Sequence, residues 1–370
     1  MTDSPNWANA WPRRMQRALI ALWVFALVLA VFPFDNPVGP VKHALTSLFA
    51  AVLAVCWLAE SLLSKSRERS LTPGLMLLAV FLGAHVLSAL ASGRPAAALF
   101  FLHPWLSFAL MALFASRLYR RPEEVARLAG IVVVAITLSS VYGFCQRLGL
   151  DPFPWRAGRS LEYIALPSTY GNPNFAGHAL VLGLVLATGL ALRRGGEWWW
   201  VAVLIMAGHL WLTGMRAGPL ALVAAFALIV LFMGLVRLFN RPLATGVMAL
   251  LLLVAAGGAA GAWLVKEKFP NEGPPPLDSS MLLRLNSYQS AATMMLDRPF
   301  TGFGPGGYGL ENIPYWTSFE QQWYAMEGRR NVHVHNDLLE TGVEAGILGM
   351  TLHIALLFWA IFGAFTLARS

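Results

Sequence analysis

The chain has 370 residues, of which 57% are hydrophobic and 12% charged, against about 25% charged in an ordinary soluble domain. Apolar runs this long and numerous exclude a soluble core, and their continuity excludes a barrel of short alternating strands. The net charge of +8 sits in short basic clusters between those runs, which is the pattern of membrane topology signals and not of a nucleic-acid surface.

Run lengths predict an all-α, polytopic integral membrane bundle of about ten transmembrane helices, organised as a single domain over 1–370. Their limits fall at about 18–34, 43–63, 73–91, 97–116, 125–146, 174–192, 198–213, 217–236, 242–265 and 343–367. The first run follows Arg13, Arg14 and Arg17 with no small-residue cleavage site behind it, so it reads as an uncleaved span. Cys56 and Cys145 fall inside apolar runs and read as small buried residues.

With the N-terminus in the cytoplasm, every cytoplasmic connection is basic. These are Arg13/Arg14/Arg17, Lys65/Arg67/Arg69, Arg117/Arg120/Arg121/Arg127, Arg193/Arg194, Arg237/Arg241 and Arg369. The short outer loops carry only Lys42 and Arg94. The two longest loops, 147–173 and 266–342, then fall on the periplasmic side, where their arginines are free of topological duty.

The first of these loops runs through Arg156 and Arg159 to Tyr170-Gly171-Asn172-Pro173-Asn174-Phe175-Ala176. Pro173 suits a helix start with Asn172 as its cap, and the alternative is a site role for Asn172 and Asn174. Arg216 lies at the outer junction of two spans, where it either snorkels to the interface or holds an anion. In the large loop, Phe269 to Pro276 is a Pro/Gly linker. Ser280 to Leu296 predicts an amphipathic helix with Arg284, Tyr288 and Ala291 on one face, ended by Asp297-Arg298-Pro299. Gly302-Phe303-Gly304-Pro305-Gly306-Gly307 matches a nucleotide loop literally. It follows no strand, and Pro305 removes an amide donor, so it reads as a glycine turn. The aromatic piece from Pro314 to Arg330 suits interfacial anchoring or a sugar platform, and anchoring is favoured.

The stretch from Val332 to Gly349 concentrates His333, His335, Asn336, Asp337, Glu340 and Glu344 where the last polar loop meets the last apolar run. Ionisable groups are costly at such a boundary. His335 can act as a general base, oriented by Asn336 or Asp337; the competing reading makes Asn336 or Asp337 a helix cap. A metal site on His333, His335 and Asp337 has no Cys or further His nearby in sequence and is not favoured. Arg216 and Arg284 suit a diphosphate, because guanidinium forks bind phosphate bidentately and stay charged.

Four of these pieces resemble the O-antigen ligase and polymerase superfamily of bacterial membrane glycan transferases. They are Gly171 to Ala176; Thr213-Gly214-Met215-Arg216-Ala217-Gly218, with alanine where glycine is common; Arg284 followed by Asp297 to Gly306; and His335-Asn336-Asp337-Leu338-Leu339 with Glu344 to Gly349. The resemblance covers about 170–350. It implies an inner-membrane, multi-pass, metal-independent inverting glycosyltransferase without cofactor, acting at the periplasmic face. Its donor is a glycan on undecaprenyl diphosphate, and its acceptor is a hydroxyl of lipid A-core or another glycan. By the matching positions, His335 is the base, and Arg216 and Arg284 hold the diphosphate. His333, Asn336, Asp337, Asn172, Asn174, Tyr288 and Arg298 are candidate supports. A lipid A-core ligase is favoured, with a polymerase of the same chemistry as the alternative. Such proteins are expected to carry one or two further spans after the last one here, so the chain reads as either a short member or a truncated one. A lipid or anion transporter is the competing class, with His85 and His209 as its best features, but it calls for ionisable groups near mid-span and paired broken helices.

Overall fold

The computed structural model describes residues 7–31, 39–63, 72–152, 167–215, 217–238, 280–327 and 331–367. All regular elements among them are helical: α1 Trp7–Leu29, α2 Gly39–Leu63, α3 Pro73–Ala91, α4 Pro95–Leu118, α5 Pro122–Arg147, α6 Pro173–Ala191, α7 Trp199–Leu212 and α8 Ala217–Leu238, then α9 Ser280–Asp297, α10 Gly307–Glu311, α11 Ser318–Glu327 and α12 Asp337–Leu367. Helices are what the sequence demands. No water satisfies the backbone in hydrocarbon, and a helix closes its own N–H and C=O groups. Proline opens α3, α4, α5 and α6, at the position where its missing N–H costs nothing.

The polytopic α-helical class is what the structure shows. Among the described residues, six helices are long and apolar enough to cross a membrane: Gly39–Leu62, Pro73–Ala91, Pro95–Leu118, Pro122–Arg147, Pro173–Ala191 and Asp337–Ala360. Trp199–Leu212 and Gly218–Leu231 are shorter apolar helices. The span expected at 242–265 and the linker at Phe269 to Pro276 lie outside the described residues. The last helix starts at Asp337, six residues before the expected 343, because Asn336 caps it and its first turn is polar.

The chain divides into two compact units, 1–69 with 107–240 and 70–106 with 241–370. In the first, α1, α5, α6 and α7 close around Val133, Ile136, Leu180, Leu184 and Met206. Lys42 belongs to α2 and not to a loop. Its Nζ donates to the carbonyls of Leu27 and Val28 at the end of α1, and it lies 5.1 Å from the Tyr170 ring centroid. A cation at a helix C-terminus is favourable, which explains a buried lysine here.

In the second unit, α12 packs on α3 and α9. Its core joins Ala291, Met294, Phe303, Tyr308, Val334 and Val343. α12 is interrupted at Ala345 (φ −123°) and Gly346 (φ 66°, ψ −170°). The loop after α9 closes that interruption. The Phe303 N–H donates to the Val343 carbonyl at 2.9 Å, the Gly304 N–H to the Glu344 carbonyl at 2.9 Å, and the Ile347 N–H to the Pro299 carbonyl at 2.8 Å. The Ser88 hydroxyl also donates to the Glu344 carbonyl, and the Gly306 N–H donates to the buried Glu344 carboxylate at 2.7 Å. The expected glycine turn is thus a backbone plug, with left-handed residues at Gly302, Gly304 and Gly306.

Gly346→Ala tests this plug. A Cβ there would lie 2.5 Å from the Phe300 carbonyl oxygen, at a φ of +66°. The backbone strain alone costs about 1–3 kcal/mol. The expected result is a clearly lower thermal midpoint in detergent than for Gly189→Ala, a control whose Cβ meets nothing within 4 Å.

Candidate functional site

The polar residues of the second unit gather where α9 meets the head of α12. Asn336 is the α12 cap: its Oδ1 accepts the N–H groups of Leu338 at 3.1 Å and Leu339 at 3.2 Å. The cap reading of Asn336 is therefore correct, and its side chain is not free to orient His335. Asp337 takes the first helical position, where a carboxylate favours the positive helix end. The turn that delivers the chain into this cap leaves His335 at φ +60°, a left-handed conformation rare outside glycine. The Tyr288 hydroxyl of α9 donates to the His335 carbonyl at 3.3 Å.

Arg284 stands one turn before Tyr288 on α9, and its charge reaches His335. Among the described residues it has no ion-pair partner. Partial desolvation, then the Arg284 guanidinium and the His333 ring, hold His335 below the usual histidine value against the opposing charge of Glu340. A depressed imidazole is neutral near pH 7 and can accept a proton. His333 is biased the other way. Its Nδ1 lies 2.8 Å from the Glu340 carboxylate, and that hydrogen bond raises it above the usual value.

A buried polar network supports this cluster from behind. The Glu320 carboxylate of α11 is fully buried and accepts from the hydroxyls of Ser287 (3.0 Å) and Ser290. Ser287 in turn accepts from the Asn331 amide at 3.0 Å, and the Asn331 carbonyl accepts from the Asn312 amide at 2.8 Å. Asn331 begins the extended stretch that leads to His333 and His335.

The structure thus brings His333, His335, Asn336, Asp337, Arg284 and Tyr288 to one region. Arg298 stands apart from them at the end of α9, with its guanidinium 4.5 Å from the Phe303 ring centroid. Asn172 caps α6, its Oδ1 accepting from the Asn174 N–H at 2.8 Å, as a helix start requires. Arg216, Arg156 and Arg159 lie outside the described residues. Among the described residues no three His, Cys, Asp or Glu side chains gather as a metal site.

Sequence reasoning missed Glu340 and Glu320. Glu320 had a legible signal, because Thr317-x-x-Glu320 is a capping box. The Thr317 hydroxyl accepts the Glu320 N–H at 3.2 Å, and the Glu320 carboxylate accepts the Thr317 N–H at 3.1 Å. The aromatic stretch around it also differs from expectation. Phe319 and Tyr324 are buried, so they form the core of this network and are not interfacial anchors. His85 is a buried histidine whose Nδ1 meets the Phe81 carbonyl and whose ring stacks on Trp105.

Arg284→Gln removes a cation facing His335. The expected outcome is a rise of the His335 titration midpoint toward the ordinary 6.5. The check is the pH dependence of diethylpyrocarbonate modification, resolved for each histidine by peptide mass.

Residues 201–354 match the family described as O-Antigen ligase. No curated protein and no solved structure matches the chain. The matched stretch contains α9, the glycine loop and His335.

Proposed function

We propose that this chain, a multi-pass membrane protein of the O-antigen ligase superfamily, transfers a glycan from undecaprenyl diphosphate to an acceptor hydroxyl, with lipid A-core the favoured acceptor. The family match supports lipid-linked glycan transfer of the ligase or polymerase type. The observation that carries the finer reading is the His335 imidazole, held below its usual value by partial desolvation and by Arg284, on a backbone whose carbonyl Tyr288 holds.

In this reading the acceptor hydroxyl gives its proton to neutral His335 as its oxygen attacks the anomeric carbon. Attack on the face opposite the diphosphate inverts that centre. Negative charge grows on the departing diphosphate, where Arg284 stabilises it; the family resemblance implies the same role for Arg216. Charge stabilisation by preorganised donors lowers the barrier most, and general-base help contributes about 10²–10⁴-fold. Both groups act at the periplasmic face, with the N-terminus in the cytoplasm of the inner membrane. As the resemblance implies, the transfer is read as needing no metal or cofactor, guanidinium groups taking the part of offsetting the diphosphate charge.

The transporter alternative is weaker. Broken helices in transporters line a cavity with unwound backbone. Here the groups freed at Ala345–Gly346 are occupied by Phe303, Gly304 and Pro299.

The test is transfer by purified protein in detergent, with radiolabelled undecaprenyl-diphosphate glycan, EDTA, and lipid A-core or free repeat-unit glycan as acceptor. Label moving to lipid A-core is expected. His335→Ala should lower the rate by about 10²–10⁴-fold. A ladder still on the carrier would identify a polymerase, and no transfer by folded wild type would reject the proposal.

A further inference from the structure

His333 and His335 flank Val334, which is fully buried. Both flanking histidines are exposed. Glu340 fastens the first of them twice. One carboxylate oxygen meets Nδ1 of His333 at 2.8 Å, and the other accepts the Val334 N–H at 2.9 Å. That leaves Nε2 as the open nitrogen of a side chain that is 67% exposed. His335 has no such carboxylate on its ring among the described residues. Two titratable groups in one site with opposite environments mark an acid and a base.

We propose that His333, oriented by Glu340, is a second catalytic residue, the acid that donates its Nε2 hydrogen to the leaving diphosphate while His335 takes the acceptor's proton. The inference rests on the reading of His335 as base. The bond between the anomeric carbon and the diphosphate oxygen breaks, and its electron pair stays on that oxygen, which takes the His333 proton. The bond from the acceptor oxygen to the anomeric carbon forms, and the acceptor proton moves to His335. Water then removes the proton from His335 and restores the one on His333. Charge around His333 suits this role: Glu340, Glu344 and Asp337 favour its cation, and the cation coupled to it is protonated His335, on which Arg284 also acts.

The experiment is the pH profile of kcat/KM in the transfer assay, beside site-resolved diethylpyrocarbonate labelling, for wild type, His333→Gln, Glu340→Gln and His335→Ala of equal thermal midpoint. His333→Gln should lower kcat about 10²-fold, with donor KM nearly unchanged, and abolish the alkaline limb. Glu340→Gln should shift the His333 labelling midpoint and the alkaline limb down together, with a smaller downward shift of the acid limb, since Glu340 also raises His335. An alkaline limb unmoved by Glu340→Gln, or His333→Gln within about threefold of wild type, overturns the inference. If His335→Ala stays inactive in that case, the base reading survives; an active His335→Ala rejects the base reading itself.

A separate observation concerns the first unit. A groove of about 570 Å³ is lined at one end by Arg127, Arg193 and Arg194 and along its walls by Phe25, Val134 and Trp199. Glu123 also lines it. Along α5 it runs from Glu123 to Val134, roughly 16 Å at helical rise. That matches one leaflet's share, about 15 Å, of the hydrocarbon thickness. We infer that the groove holds a phospholipid with an anionic headgroup, its phosphate on the arginines and one acyl chain along the apolar wall.

Native mass spectrometry of delipidated protein with phosphatidylglycerol or phosphatidylcholine tests this. Phosphatidylglycerol should be retained in preference, inorganic phosphate should not displace it, and each Arg→Gln change at 127, 193 or 194 should weaken retention roughly fivefold. Arg14→Gln should have no effect. Equal retention of the two lipids, or retention unchanged in the triple variant, overturns the inference.

Discussion

The second unit depends on one constraint: a backbone N–H or C=O group in hydrocarbon must find a partner within the protein. α12 violates helical geometry at Ala345–Gly346. The groups it frees are taken up by Pro299, Phe303 and Gly304, with Ser88 and the Glu344 carboxylate completing the set. This requirement explains the glycines. At Gly302 a Cβ would lie 2.4 Å from the Glu344 carbonyl oxygen, so nothing larger lets the loop approach. Two stretches about 40 residues apart are thereby one structural piece, and the chain between them is held at both ends.

That piece fixes the geometry of the polar head of α12. Asn336 caps the helix, Val334 is sunk in the core, and His335 takes up a left-handed turn between them. Tyr288 reaches across from α9 to the same carbonyl. The Glu320 network holds the opposite end of the stretch through Ser287 and Asn331. Buried polar networks are costly unless satisfied, and this one ties α9, α11 and the 331–335 stretch together.

Charge is then divided within a very short distance along the chain. Glu340 holds His333 toward its cationic form, while partial burial and then Arg284 hold His335 toward its neutral form. The arrangement reaches that division with one carboxylate and one guanidinium and leaves both rings open to solvent.

The sequence by itself determined the class, because long apolar runs can satisfy their backbones only as helices. It also determined the helix starts at Pro73 and Pro173, the cap at Asn172, and the gathering of Arg284, Tyr288 and His335 as candidates. These are local or periodic signals that one segment carries alone. The tertiary structure decided what depends on distant partners: that Arg298 lies on Phe303, that Phe319 and Tyr324 turn inward around Glu320, and that the glycine turn fills a break in α12. The opposite bias of His333 and His335 is of the same kind. Their spacing is plain in the chain, but a proton's affinity is set by which charges the fold brings to each ring.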